Sequence, residues 1–241
     1  MPPLVLLAGM NCTQDLWADA GFGAEVGGVV RPLLDHPAMP EQVDALLAEL
    51  PETFVLVGHS LGGIVGMALA LAAPHRVAGL CLVSTNAKAP TEAQRDGWRS
   101  WLSQLDGGLS PRALQQSILD PLLGEAFAHQ RPDLVTRVLR MGDDTGAAVL
   151  RAQLEMQLTR SDLLSRLDEL RMPVLVVSGL DDVICPPHFH TEIASQVAGA
   201  RLVSLDAGHL LPLQRPREFG DLVRSWGAQH RFAVPAASVR R

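Results

Sequence analysis

The sequence predicts an α/β protein: a doubly wound, mostly parallel sheet interrupted by an all-helical insertion. Three observations predict it. Short apolar runs alternate with helix-compatible stretches along most of the 241 residues, and that alternation implies a parallel sheet covered on both faces. The run Gly58-His59-Ser60-Leu61-Gly62 joins one such strand to one such helix. A long stretch, residues 88–171, holds no convincing β run and breaks the alternation.

In chain order, residues 3–8 read as a buried strand, 9–15 as a loop, and Leu16-Trp17 as an apolar anchor. Val29-Val30 is a short strand. Residues 40–50 carry Val43, Leu46, Leu47 and Leu50 at helical spacing. Strands follow at 54–57, 77–84, 173–178 and 201–205, and helices at 64–73, 188–197 and 217–226. Within the insertion, helices are expected at 91–105, 111–119, 132–141, 146–158 and 163–170, punctuated by Pro90, Pro111, Pro121 and Pro132. The core is therefore 1–87 with 172–229, the insertion 88–171, and residues 230–241 a frayed tail.

Composition narrows the function. Hydrophobic residues at 47% against 19% charged make a large core affordable and global disorder implausible. A net charge of −6, with basic residues scattered apart from Arg240-Arg241, gives no footprint for nucleic acid. No apolar run reaches the roughly 18 residues of a membrane span. The first residues lack the basic region of a secretory signal, so a cytoplasmic enzyme with a small-molecule substrate is expected, its oligomeric state open. Cys12, Cys81 and Cys185 are dispersed and odd in number, which suggests neither a disulfide framework nor a metal site.

Gly58 to Gly62 is a G-x-S-x-G motif. A serine between strand and helix sits on a sharp turn with its Oγ held out of the sheet, and the next amide, that of Leu61, points towards an oxyanion. A serine hydroxyl needs a base, and the base needs orienting. The strand at 173–178 is followed by Gly179-Leu180-Asp181-Asp182, and the strand at 201–205 by Asp206-Ala207-Gly208-His209-Leu210. Both turns fall at the carboxyl edge of the sheet. Ser60 and His209 are the nucleophile and base this pattern offers, with Asp181 and Asp182 as rival acids. His59 is expected to pack rather than act as the base. His36, His75, His129, His188, His190 and His230 carry no spacing argument and default to surface or loop positions.

On these residues the chain resembles the α/β-hydrolase superfamily, from Pro3 to about Trp226. The family's Gly-x-x-Asp spacing from Gly179 selects Asp182 as the acid. Leu6-Leu7-Ala8-Gly9-Met10 resembles the oxyanion loop, with Ala8 where many members carry His. The resemblance implies the amides of Met10 and Leu61 as the oxyanion hole, and the helical insertion as a cap. Trp98, Trp101, Leu122, Phe127, Met141 and Met156 are the candidates for its substrate-facing wall. The implied activity is hydrolysis of a small or medium carboxylic ester, thioester or lactone through an acyl-enzyme, with no metal and no organic cofactor. An acyltransferase, a C–C bond hydrolase, a lyase and a non-catalytic ligand-binding receptor share the scaffold. Exchanging the insertion is expected to move substrate preference while leaving the triad chemistry alone.

Overall fold

Six strands form one sheet in the order β2-β1-β3-β4-β5-β6, and every adjacent pair runs parallel. They are β1 (Leu4–Leu7), β2 (Val29–Val30), β3 (Phe54–His59), β4 (Val77–Val83), β5 (Val174–Gly179) and β6 (Arg201–Leu205). The computed structural model describes residues 2–22, 28–232 and 234–235. The inner strands are apolar throughout because both faces are covered. Leu4 and Leu6 of β1 join a cluster with Trp17, Phe219 and Trp226 on one face. Val5 and Leu7 join Leu46, Val65 and Ile193 on the other. This period of two is what a strand imposes on its side chains.

The chain steps outward from β1 to β2, then returns to place β3 on the other side of β1. Strand order therefore reverses between β1 and β3, the position where open parallel sheets form ligand crevices at their carboxyl edge. Helix α1 (Met39–Glu49) leads into β3, and α2 (Leu61–Ala72) leaves it. The first turn of α2 lies hard against β1: a Cβ on Gly62 would stand 2.1 Å from the Leu7 carbonyl oxygen. No residue larger than glycine fits there, so the glycine sets how closely the nucleophile turn approaches the β1 loop.

Between β4 and β5 lie α3 (Glu92–Asp106), α4 (Pro111–Ser117), α5 (Leu119–Leu123), α6 (Glu125–Gln130) and α7 (Pro132–Thr159). Thr91 opens α3 with a capping box to Gln94, and Ser110 caps α4 ahead of Pro111. Helix α7 breaks at Gly146, whose φ of 74° and ψ of 161° are non-helical, so it consists of the two helices expected on either side. The expected helix at 163–170 is a 3₁₀ turn, Leu164–Glu169. The short α5–α6 pair, separated by Gly124 at φ 80°, has too few residues for periodicity to reveal. After β5 come α8 (Pro187–Gln196) and, beyond β6, α9 (Leu211–Gln214) and α10 (Pro216–Gln229).

Within the segment expected to fray, 230–241, Phe232 is packed. The Phe232 ring packs 5.3 Å from that of Trp226, and a Cβ on Gly79 would meet it at 2.5 Å. A single aromatic after a helix end carries no periodic signal, yet it closes the β4 face of the core. Residues 236–241 lie outside the described residues. No helix among the described residues is long and apolar enough to cross a membrane.

Candidate active site

Ser60 sits between β3 and α2 at φ 52° and ψ −116°, a conformation that costs an L-residue about 1–3 kcal/mol and survives only where its surroundings enforce it. The enforcement is visible. The Ser60 amide donates to the Val83 carbonyl at 3.0 Å. Its carbonyl accepts from the amides of Gly63 and Ile64 and from the Thr85 hydroxyl at 2.7 Å. The Thr85 amide donates to His190 Nε2 at 2.9 Å, and His190 Nδ1 faces Ser178 Oγ at 3.1 Å. A buried chain of polar groups thus braces the turn from below.

His209 follows β6 and Asp182 follows β5, both buried. His209 Nε2 lies 3.1 Å from Ser60 Oγ, and His209 Nδ1 lies 3.0 and 2.9 Å from the two Asp182 oxygens. With Nδ1–H donating to the carboxylate, the Nε2 lone pair faces the serine hydroxyl. Asp182 Oδ1 also accepts from the amides of Ile184 and Cys185 at 2.9 and 2.8 Å. Burial works to raise the Asp182 carboxyl, but the facing His209 and these hydrogen bonds outweigh it and hold it below the usual carboxylate range. Asp181, the rival acid, is exposed.

The β1 loop lies against the serine. A Cβ on Gly9 would stand 3.2 Å from Ser60 Cβ and 2.7 Å from His59 Nδ1. Among the described residues, neither the Met10 amide nor the Leu61 amide donates to a protein acceptor; Leu61 opens α2, where helix amides are free by geometry. Asn11, at φ 56° and 1% exposed, turns the loop. Its amide donates to Gln153 Oε1 at 2.9 Å, and its Nδ2 donates to Gln115 Oε1 at 2.9 Å and the Pro111 carbonyl at 3.0 Å. The histidine loop is tied to the insertion as well. The Gly208 amide donates to Gln214 Oε1 at 2.6 Å, Gln214 Nε2 donates to the Leu123 carbonyl at 2.7 Å, and the Leu210 amide donates to the Leu122 carbonyl at 3.2 Å.

His59 donates from Nε2 to the His209 carbonyl at 2.9 Å, a packing and positioning contact. Asn11, Gln115, Gln153, Gln214 and His190 escaped the sequence reading. Each is one buried polar residue whose partner lies far along the chain, 142 residues for Asn11 with Gln153, and no local pattern encodes such a pair. His190 also corrects the surface expectation for that residue: it is fully buried under Ser178 and Thr85.

The wall residues divide. Trp98 and Trp101 are half-buried and pack, as Met10 does, against Leu105, Leu114, Leu150 and Leu154. Phe127 is half-buried beside a cavity of about 320 Å³ behind the histidine loop, which Asp181, Gly208 and Gln214 also line. Leu122, Met141 and Met156 are core residues instead. Leu122 and Met141 pack with Trp17 on one face of the sheet and Met156 with Leu167 on the other. The inward stripe of an amphipathic helix reads alike in sequence whether it meets a core or a ligand. Burial pushes the Cys12 and Cys185 thiols up to about 12 and raises Cys81 as well, so none supplies a thiolate nucleophile. Among the described residues, no cluster of three or more His, Cys, Asp or Glu side chains is arranged to hold a metal ion.

Two buried histidines make folding acid-sensitive. Burial, aided by the neighbouring His209, pushes His59 down to about 3, and burial pushes His190 down to about 4. Both are neutral in the folded protein, while the unfolded chain protonates near 6.5. Their neutral burial costs nothing above that pH. As pH falls from about 6.5 towards 4 the unfolded state gains protons that the folded state refuses, and each pKa unit of difference removes about 1.4 kcal/mol of stability. The melting temperature is expected to fall steadily below pH 6.5, and His190→Gln to flatten that fall. A melting temperature constant from pH 7 to 4.5 contradicts the assignment.

A sequence profile of the alpha/beta hydrolase fold family matches residues 33–216. A pimeloyl-[acyl-carrier protein] methyl ester esterase of Aromatoleum aromaticum is 30% identical, covering 92% of this chain and 96% of its own. A putative carbamate hydrolase, RutD, of Rhizobium rhizogenes is 26% identical over 82% of this chain and 76% of its own. The crystal structure of a hydrolase from Pseudomonas aeruginosa superposes with a TM-score of 0.79 at 25% identity, over 93% of this chain and 89% of that one. The reversed strand order, the strained serine turn and these matches agree, and the chain belongs to the alpha/beta hydrolase fold family.

Proposed function

We propose that this chain hydrolyses small or medium carboxylic esters through an acyl-enzyme on Ser60. The observation that carries the reading is the continuous hydrogen-bonded line from Asp182 through His209 to Ser60 Oγ, with no break longer than 3.1 Å. His209 Nε2 takes the hydroxyl proton as Oγ attacks the ester carbonyl, and Asp182 holds the ring and stabilises the imidazolium. The Met10 and Leu61 amides receive the developing oxyanion, each such donor being worth about 3–4 kcal/mol in comparable enzymes. His209 then returns its proton to the leaving alkoxide. It next takes a proton from the water that attacks the acyl carbonyl and passes it to Ser60 Oγ as the acyl–oxygen bond breaks and the acid leaves.

Helices α3–α7 form the cap of this reading, with Trp98 and Trp101 on its substrate side. The Aromatoleum relative is named for a methyl ester, which supports an ester over a lactone or a thioester. A cytoplasmic enzyme acting on a small molecule is the setting we infer. A panel of p-nitrophenyl esters of rising acyl length, with an alkyl fluorophosphonate as active-site probe, tests it. Hydrolysis that is strongest for short and medium chains, and labelling confined to Ser60, is the expected result. Labelling elsewhere, or no turnover of any ester, overturns it.

A further inference from the structure

Arg160 ends α7 with its side chain only 4% exposed. A guanidinium carries five N–H donors and no acceptor. Here Nε donates to the Lys88 carbonyl at 3.2 Å and Nη1 to the Gln157 side chain. The other N–H groups have no protein acceptor among the described residues. The group lies over the Trp98 ring, 5.3 Å from its centre. No Asp or Glu among the described residues pairs with it, and its charged neighbour Arg95 has the same sign. Burial lowers its pKa to about 10, which leaves it cationic at neutral pH. A buried cation is costly unless a carboxylate or phosphate meets it.

Space for such a group adjoins it. A cavity of about 350 Å³ is lined by Arg160 with Met39, Pro40, Ile64, Thr159, Ser161 and Leu163, and no carboxylate reaches it. Ile64 stands four residues after Ser60 on α2, about 6 Å along the helix axis, and its amide donates to the Ser60 carbonyl at 3.1 Å. Ile64, one wall of the cavity, therefore lies one helical turn along the chain from Ser60. The cavity offers apolar walls at Met39, Pro40, Ile64 and Leu163, the lining residues Thr159 and Ser161, and the guanidinium N–H groups that Lys88 and Gln157 leave unused, which suit a carboxylate.

We propose that this cavity is a subsite for the far end of an acyl chain that carries a carboxylate, with Arg160 as its anion-binding residue. The proposal rests on Ser60 as the nucleophile and names the class of ester it takes: monoesters of medium-length dicarboxylic acids. Position requires both ends to be held at once, the ester at Ser60 and the acid at Arg160. A neutral acyl chain of equal length leaves the guanidinium buried without a partner.

The experiment compares mono-p-nitrophenyl adipate with p-nitrophenyl hexanoate. The wild-type protein is expected to favour the adipate ester by about tenfold or more in kcat/KM, the scale of one charge-assisted contact. Arg160→Gln should erase most of that ratio, and Arg160→Lys, which keeps the charge but loses the fork, should give an intermediate one. Free adipate should inhibit hexanoate hydrolysis competitively. Equal wild-type rates, an undiminished ratio in Arg160→Gln, or non-competitive inhibition by adipate would overturn the subsite. Should Arg160→Gln fail to fold, the wild-type ratio and the adipate competition decide alone. Should neither ester turn over, the ester-hydrolase reading falls, and calorimetry of adipate with the wild-type protein still tests the subsite separately.

Discussion

Ser60→Ala should leave a folded protein with essentially no ester hydrolysis. The hydroxyl is the one group on the turn within reach of His209 Nε2, at 3.1 Å, and no buried thiol can replace it. Loss of a triad nucleophile costs about 10⁶-fold in kcat where it has been measured. The fold should persist, because the backbone bonds of Ser60 to Val83, Gly63, Ile64 and Thr85 do not involve Oγ. Alanine also bears the same strain at φ 52° as serine. The paired measurement is turnover of an activated ester beside the melting temperature. A purified variant that keeps more than a few per cent of wild-type turnover refutes the assignment of Ser60.

Asp182→Asn should cost about 10⁴-fold in kcat, and Asp181→Asn far less. The two neighbours differ in where their carboxylates point. Asp182 meets His209 Nδ1 and two backbone amides, while Asp181 is exposed and lines the cavity behind the loop. An Asn at position 182 can present its NH₂ to Nδ1. That would force the ring proton onto Nε2, where it faces the nucleophile and blocks proton transfer. Equal losses in the two variants, or a greater loss at position 181, would reassign the acid.

Much of this was legible in the sequence for a definite reason. Strand and helix positions are encoded locally, by runs such as 54–57 and by the glycines around Ser60, so the sheet and the serine turn could be read directly. Asp182 and His209, the proposed acid and base, could be picked out because each follows a strand, and strand ends converge on one edge. The spacing Gly179 to Asp182 points at the buried member of the Asp pair. The hidden part lies in contacts between segments. Met141 and Met156 join the clusters on the two faces of the sheet, while Trp98 packs against a smaller cluster of Leu105, Leu114, Leu150 and Leu154, although all three lie on amphipathic helices. Arg160 looks like any basic residue at a helix end until its burial is seen.

The ties between the insertion and the loops that carry Met10 and His209 bear on how such proteins are recombined. Gln115 and Gln153 grip the loop that carries Met10, and the carbonyls of Leu122 and Leu123 grip the loop that carries His209. A donor or acceptor stranded in a buried site costs about 1–3 kcal/mol. Exchange of residues 88–171 alone is therefore expected to lower turnover as well as to move substrate preference, which kcat of such a chimera on an activated ester checks. A chimera inherits working loops only if the incoming helices bring matching partners for Asn11 and Gln214. Breakpoints drawn at the apparent borders of the insertion separate these loops from their hydrogen-bond partners. Moving the β1 loop and the turn from Gly208 to Gln214 together with the insertion keeps these particular hydrogen bonds intact.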